Sequence, residues 1–220
     1  MKRGFRIAAA LFLGVLLCGQ TVPAEAQAPL RCGPFIRDAL PPPTPRENAH
    51  AQARFEQINN NVKTQSHRVL FLGDSLTEGF DDGVWQQHMA PRGVLNAGIG
   101  GDRTDHLRWR LEHGNLDGPP PRAVILLIGT NDLGHNWPPE MAAEGIRATL
   151  VKLRQRLPEA AILLLGLWPR EDVPRIVERH EIAAVNRLIA TCADGTAIHY
   201  ADLGGLLVGP DGRLLPQISP

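Results

Sequence analysis

Three short polar turns in this chain carry side chains that can together perform acyl transfer. The first, Gly73-Asp74-Ser75-Leu76-Thr77-Glu78-Gly79, offers a hydroxyl nucleophile at Ser75. The second, Asn96-Ala97-Gly98-Ile99-Gly100-Gly101-Asp102, offers a glycine pair whose backbone N–H can approach a substrate without a side chain in the way. The third, Gly129-Thr130-Asn131-Asp132, offers the carboxamide of Asn131 as a further donor. Attack on an acyl carbon needs a nucleophile, a base for its proton and donors for the oxyanion. Taken alone, each signal is weak. A serine after a strand is more often a helix N-cap than a nucleophile, and an asparagine in a turn usually serves the local backbone.

These turns acquire meaning from the elements before them. Each follows a short, unbroken apolar run: Arg68 to Gly73, Gly93 to Ala97 and Ala123 to Gly129. Two more runs follow, Ala161 to Leu167 and Thr196 to Ala201. Continuous rather than alternating apolar runs predict strands buried on both faces. Amphipathic patterns predict helices over Arg46 to Val62, Asp105 to Glu112, Pro138 to Arg156 and Arg175 to Cys192. Five strands alternating with helices predict a three-layer α/β/α domain around a parallel sheet. Ligands of such sheets bind beyond the carboxyl ends of the strands, where the three turns converge.

The chain has 220 residues, a formal net charge of +0 and 43% hydrophobic residues. This suits one domain with a sizeable core and argues against a nucleic-acid binder or a protein held on anionic lipid by charge. Lys2, Arg3 and Arg6 precede an apolar run, Ile7 to Cys18, with small-x-small sites at Ala24-Glu25-Ala26 and Ala26-Gln27-Ala28. That order reads as a secretory signal over residues 1–26, cut near Ala26 or Ala28, and predicts an exported chain, periplasmic or secreted, with no stable membrane insertion after cleavage. The bland alternative is an uncleaved anchor. A proline-rich arm over 27–45 and the α/β domain over 46–220 complete the expected organisation. Of three cysteines, Cys18 leaves with the signal, and Cys32 and Cys192 remain as an even pair in an oxidising compartment. They are expected to form a disulfide tying the arm to the last long helix, the alternative being two free thiols.

Together the turns resemble the SGNH/GDSL hydrolases. GDSLTEG is similar to that family's first block, with the nucleophile at Ser75; NAGIGGDRT to the second, with the oxyanion glycine at Gly101; and GTND to the third, with its asparagine at Asn131. Trp85, Arg103 to Leu107, Trp109 to Leu111, Gly166 to Arg170 and Val185 to Arg187 further resemble the branch of the platelet-activating factor acetylhydrolase catalytic subunits and their bacterial relatives. The resemblance implies a flavodoxin-like fold with strand order 2-1-3-4-5 and hydrolysis of esters of short acyl chains without metal or cofactor; the expected partner is a small-molecule ester, an acylated carbohydrate or lipid. It also implies a histidine near the C-terminus as base, with an aspartate three residues before it.

That last block is not found in these residues. Leu206 to Leu214 matches the lead-in, but Gln217-Ile218-Ser219-Pro220 follows instead of Asp-x-x-His. The one such spacing after Ser75 is Asp132-Leu133-Gly134-His135, inside the third turn. His135 reads as a solvated loop histidine, His106 as facing solvent or packing locally, His180 as exposed and His199 as a strand residue. The expectation is therefore a serine esterase of small, acetyl-like groups that is impaired, lacks its terminal helix and has only trace activity. The alternative is an inactive fold that binds acylated sugars or lipids. A dinucleotide site lacks its third glycine, since position 103 is Arg, and a zinc hydrolase lacks a His-x-x-x-His pair.

Overall fold

The computed structural model describes residues 29–170 and 176–215. The expected signal segment and the last residues of the chain lie outside the described residues. Five parallel strands form one sheet: β1 Val69–Gly73, β2 Val94–Gly98, β3 Ala123–Leu127, β4 Ala161–Leu165 and β5 Ile198–Ala201. Their order, β2-β1-β3-β4-β5, is the one the resemblance implies. The runs before the third turn and in β4 end as strands two residues earlier than their apolar pattern, because their last residues already belong to the turns beyond.

Side chains alternate across the sheet. Leu70, Leu72, Val124, Leu126, Ile162 and Leu164 enter one core, while Val69, Phe71, Ile125, Leu127 and Leu165 enter another. All four long helices lie on the first face. These are α1 Ala49–Thr64, which brings Ile58 and Val62; α4 Thr104–Glu112, with Leu107 and Leu111; α6 Pro139–Arg156, with Ile146, Leu150 and Leu153; and α7 Ile176–Ala190, with Ile182, Val185 and Ile189. The second face is covered over β1 and β2 by the connection between them: the short helices α2 Ser75–Glu78 and α3 Asp82–Val84, a π turn at Trp85–Met89 and a 3-10 turn at Ala90–Arg92. The rings of Phe80 and Trp85 pack against Phe71 there. Toward β4 and β5 that face carries Leu163, Trp168, Ala201 and Leu203, half-buried, and no long helix among the described residues. No described helix is long and apolar enough to cross a membrane.

The arm is irregular from Pro29 to Asn48, as its prolines require. Asn48 caps α1 by accepting a hydrogen bond from the Ala51 N–H, so the helix begins three residues later than its apolar pattern alone suggests. The arm is held in several places. The expected disulfide joins Cys32 to Cys192 just past α7, across 160 residues of sequence. Phe35 N–H donates to Glu144, and Arg108 donates to the Pro41 carbonyl.

Candidate active site

The parallel register sets Gly73, Gly98 and Leu127 level with one another. The three polar turns therefore leave the sheet at one height. The chain runs from β1 out to β2 and then back across β1 to β3, so the reversal of direction lies between β1 and β3. Ser75 follows one of those strands, and the turn holding Asn131, the short helix α5 Thr130–Gly134, follows the other. Crevices at such reversals are where open α/β sheets bind ligands.

Ser75 is the first residue of α2 and is exposed. The N-cap is not Ser75 but Asp74, whose Oδ1 accepts the Leu76 N–H at 3.0 Å. This frees the serine hydroxyl from capping, and no described residue hydrogen-bonds to it. The turn is tight because it lies directly on its neighbours. A Cβ at Gly73 would overlap Thr77 Oγ1 and stand 2.6 Å from the Leu127 carbonyl. A Cβ at Gly98 would overlap the Glu78 nitrogen and stand 2.8 Å from the Asp74 carbonyl. A Cβ at Gly100 would sit 3.8 Å from Ser75 Cβ, which places the second turn's backbone against Ser75.

The turns are cross-linked by buried polar groups. Arg110, on α4, donates from Nε to Asp102 Oδ2 at 2.8 Å, from Nη2 to the Gly73 carbonyl at 2.9 Å and from Nη1 to Asn115 Oδ1 at 2.6 Å. One guanidinium thus joins the end of β1 to the second turn. The third turn is joined twice: Asn131 Nδ2 donates to the Asp102 carbonyl at 2.9 Å, and Asp132 accepts from Thr104 N–H at 3.1 Å and from Thr104 Oγ1 at 2.5 Å. Burial dominates the carboxyl groups here. It pushes Asp74 up to about 6, with Asp102 nearby raising it further, and pushes Asp132 up to about 7.

Ser75, Gly101 and Asn131, the three residues predicted to carry the chemistry, all lie on these level, cross-linked turns. No described acceptor takes the N–H of Ser75 or of Gly101. Gly101 adopts φ +77°, a conformation that favours glycine. No described histidine is hydrogen-bonded to Ser75. His135 is exposed and its Nδ1 sits 2.8 Å from the Asn131 carbonyl. His106 is buried, its Nδ1 accepting the Arg103 N–H at 3.1 Å, and burial lowers it to about 4, so of the two expectations for it, local packing is the one realised. His180 is exposed on α7, and His199 is half-buried in β5. Among the described residues no group of three or more His, Cys, Asp or Glu is placed to hold a metal ion.

Sequence reasoning missed the supporting residues. Asp74 lies in the first block and Thr104 and Arg110 lie on α4, inside runs quoted for the resemblance, so their positions were in view but nothing in the sequence marked them as supports of the turns. Glu78 lies in the first block, but nothing nearby marks it as a partner of the second turn. Arg46 and Arg54, which reach that turn from the arm and from α1, had no local signal.

The model of the GDSL-like lipase/acylhydrolase family matches residues 71–220. Platelet-activating factor acetylhydrolase IB subunit alpha1 of Bos taurus is 33% identical over 178 residues, covering 78% of this chain and 75% of that protein. Subunit alpha2 of Rattus norvegicus is 35% identical over 156 residues, covering 70% and 67%. Among solved structures, a GDSL-like lipase from Bacteroides thetaiotaomicron shares the fold with a TM-score of 0.61 at 20% identity, covering 76% of this chain and 85% of that one. An acetyl-xylooligosaccharide esterase from Geobacillus shares it with a TM-score of 0.53 at 18% identity, covering 72% and 90%. Sequence and fold agree with the three motif-bearing turns: the chain belongs to the GDSL-like lipase/acylhydrolase family, and its chemistry is that of a carboxylic ester hydrolase.

Proposed function

We propose that the chain acts on esters of small, acetyl-like acyl groups through Ser75. The single observation that supports this reading is the register that sets Gly73, Gly98 and Leu127 level, so that the turns bearing Ser75, Gly101 and Asn131 leave the sheet at one edge. Ser75 Oγ attacks the acyl carbon, and the carbonyl electron pair moves onto its oxygen. The Ser75 N–H, the Gly101 N–H and the free hydrogen of the Asn131 amide receive that oxyanion. Collapse expels the alcohol, which leaves with the serine proton, and water then releases the acid from Ser75.

The described residues supply a nucleophile and oxyanion donors but no histidine hydrogen-bonded to Ser75. With that set alone the expected acceleration is about 10³–10⁴ over water, the residue left when other triads are dismantled. The unpartnered serine also favours a second reading, a fold that binds acylated sugars or lipids without turnover. An exported location fits the Cys32–Cys192 bond, since disulfides persist in oxidising compartments, and suits acetyl esters of envelope or extracellular polysaccharide.

The test is labelling of purified protein by a fluorophosphonate serine probe, alongside turnover of p-nitrophenyl acetate. Labelling and turnover that vanish in Ser75→Ala support the esterase. A folded protein that does neither supports the binding reading and removes Ser75 as a working nucleophile.

A further inference from the structure

The second turn is gripped from outside its own motif block. Gly100 N–H donates to Glu78 Oε2 at 2.5 Å. Arg46 Nη1 donates to the Gly101 carbonyl at 2.5 Å, and its guanidinium fills the space beside Gly101, standing 2.8 Å from where a Cβ would be. Glu78 is itself held: His50 Nε2 sits 2.9 Å from its Oε1 and Arg54 Nε lies 3.8 Å from the same oxygen. Arg54 also donates to the Gly98 carbonyl at 3.1 Å and to the Asn96 carbonyl at 3.0 Å. Arg46 comes from the end of the arm, and His50 and Arg54 come from one face of α1.

We infer that Arg46 and Glu78 are positioning residues that hold the oxyanion-donating N–H of Gly101 in place. This rests on the reading of Gly101 as an oxyanion donor. Consecutive glycines leave a peptide plane free to rotate. The plane that matters lies between Gly100 and Gly101, since it carries the Gly101 N–H. Glu78 holds the peptide group before it, through the Gly100 N–H. Arg46 holds the peptide group after it, through the Gly101 carbonyl. With both flanking groups held and Gly101 at φ +77°, rotation of the middle plane is restrained from both sides. Glu78 also occupies the Gly100 N–H, so that of the glycine pair only Gly101 offers a free donor to the crevice. The arm, tethered by Cys32–Cys192 and by Thr44 Oγ1 donating to Asp105 Oδ2 at 3.1 Å, thereby becomes part of the device that shapes the site.

Two measurements on the full chain test this. In the first, kinetics with p-nitrophenyl acetate compare Arg46→Ala with Arg46→Lys and Glu78→Ala with Glu78→Gln. The alanine variants are expected to lose about 10²-fold in kcat with KM within about twofold, as a small misplacement of a reacting group does, and Lys and Gln, which keep a donor and an acceptor, recover most of it. In the second, ¹⁵N relaxation of glycine-labelled protein is expected to show the Gly100 and Gly101 amides ordered in wild type and mobile in both alanine variants. Folded alanine variants with unchanged amide relaxation overturn the inference, as does a loss of rate that Lys and Gln do not recover. Should Arg46→Ala not fold, Arg46→Met, which keeps the apolar stem, replaces it. If wild type shows no Ser75-dependent turnover, the nucleophile reading fails, and the relaxation measurement alone decides the positioning claim.

Discussion

The carboxamide of Asn131 donates a 2.9 Å hydrogen bond to the carbonyl of Asp102, so the third turn is latched to the second through the side chain assigned to the oxyanion. An amide nitrogen carries two hydrogens. The latch uses one and thereby aims the other. Asn131→Ala removes both, and kcat for p-nitrophenyl acetate is expected to fall about 10²–10³-fold with little change in KM. An unaltered kcat would take Asn131 out of the oxyanion site.

Close packing of the turns makes particular glycines irreplaceable. Gly98→Ala places a methyl group onto the Glu78 nitrogen and the Asp74 carbonyl, both backbone atoms that cannot step aside. The expected loss is about 1–3 kcal/mol, and Ser75 shifts with its helix. Gly205→Ala, whose new methyl meets nothing within 4 Å, is expected to stay within about 0.5 kcal/mol of wild type. Urea unfolding of the two variants compares them directly, and equal midpoints would contradict the tight contact.

Asp132 gives the stability a pH signature. Burial raises its carboxyl from 3.8 to about 7, so the folded state holds the proton more tightly than the unfolded chain. Its contribution is full below about pH 4 and is lost as pH rises through 7. Asp74, raised to about 6, acts in the same direction over a lower range. His106, lowered to about 4, acts oppositely, its contribution present above its ordinary value of 6.5 and lost on acidification through 4. The three partly cancel in wild type, so the informative quantity is the difference from Asp132→Asn. That variant is expected to be less stable than wild type near about pH 4.5 and to close or reverse the gap by about pH 8. A gap independent of pH, measured by denaturant midpoints, would refute the burial argument.

The Cys32–Cys192 bond closes a loop across 160 residues and lies within the larger core. The double variant Cys32→Ser with Cys192→Ala is expected to lose about 2–5 kcal/mol of stability. Because the arm carries Arg46, the variant is also expected to lower kcat. A thiol titration of unreduced, denatured wild type checks the bond itself; two free thiols would exclude it.

Much of this molecule was legible along the chain. Runs such as Ala123 to Leu127 are apolar without alternation because β3 is covered on both faces, and that pattern needs no partner to be read. Glycine and polar residues directly after each run marked the turns, since a strand must end where its backbone bonds end. The blocks around Ser75, Gly101 and Asn131 carried the family. Element boundaries were less exact: the start of α1 depended on Asn48 accepting from Ala51, and the start of α2 on Asp74 taking the capping role from Ser75.

What no local pattern held is the support of the site. Arg110 meets Gly73 across 37 residues and Arg46 meets Gly101 across 55, and each contact exists only because parallel strands return distant parts of the chain to one edge. Burial, and with it the raised Asp74 and Asp132 and the lowered His106, is likewise a property of the packed core rather than of neighbours in sequence. Residue type and spacing determined the sheet, its turns and the chemistry those turns can attempt. Tertiary structure alone decided which turns stand level, which polar groups lose their water, and which distant cations hold the backbone of those turns, because those are questions of distance through space that sequence separation does not encode.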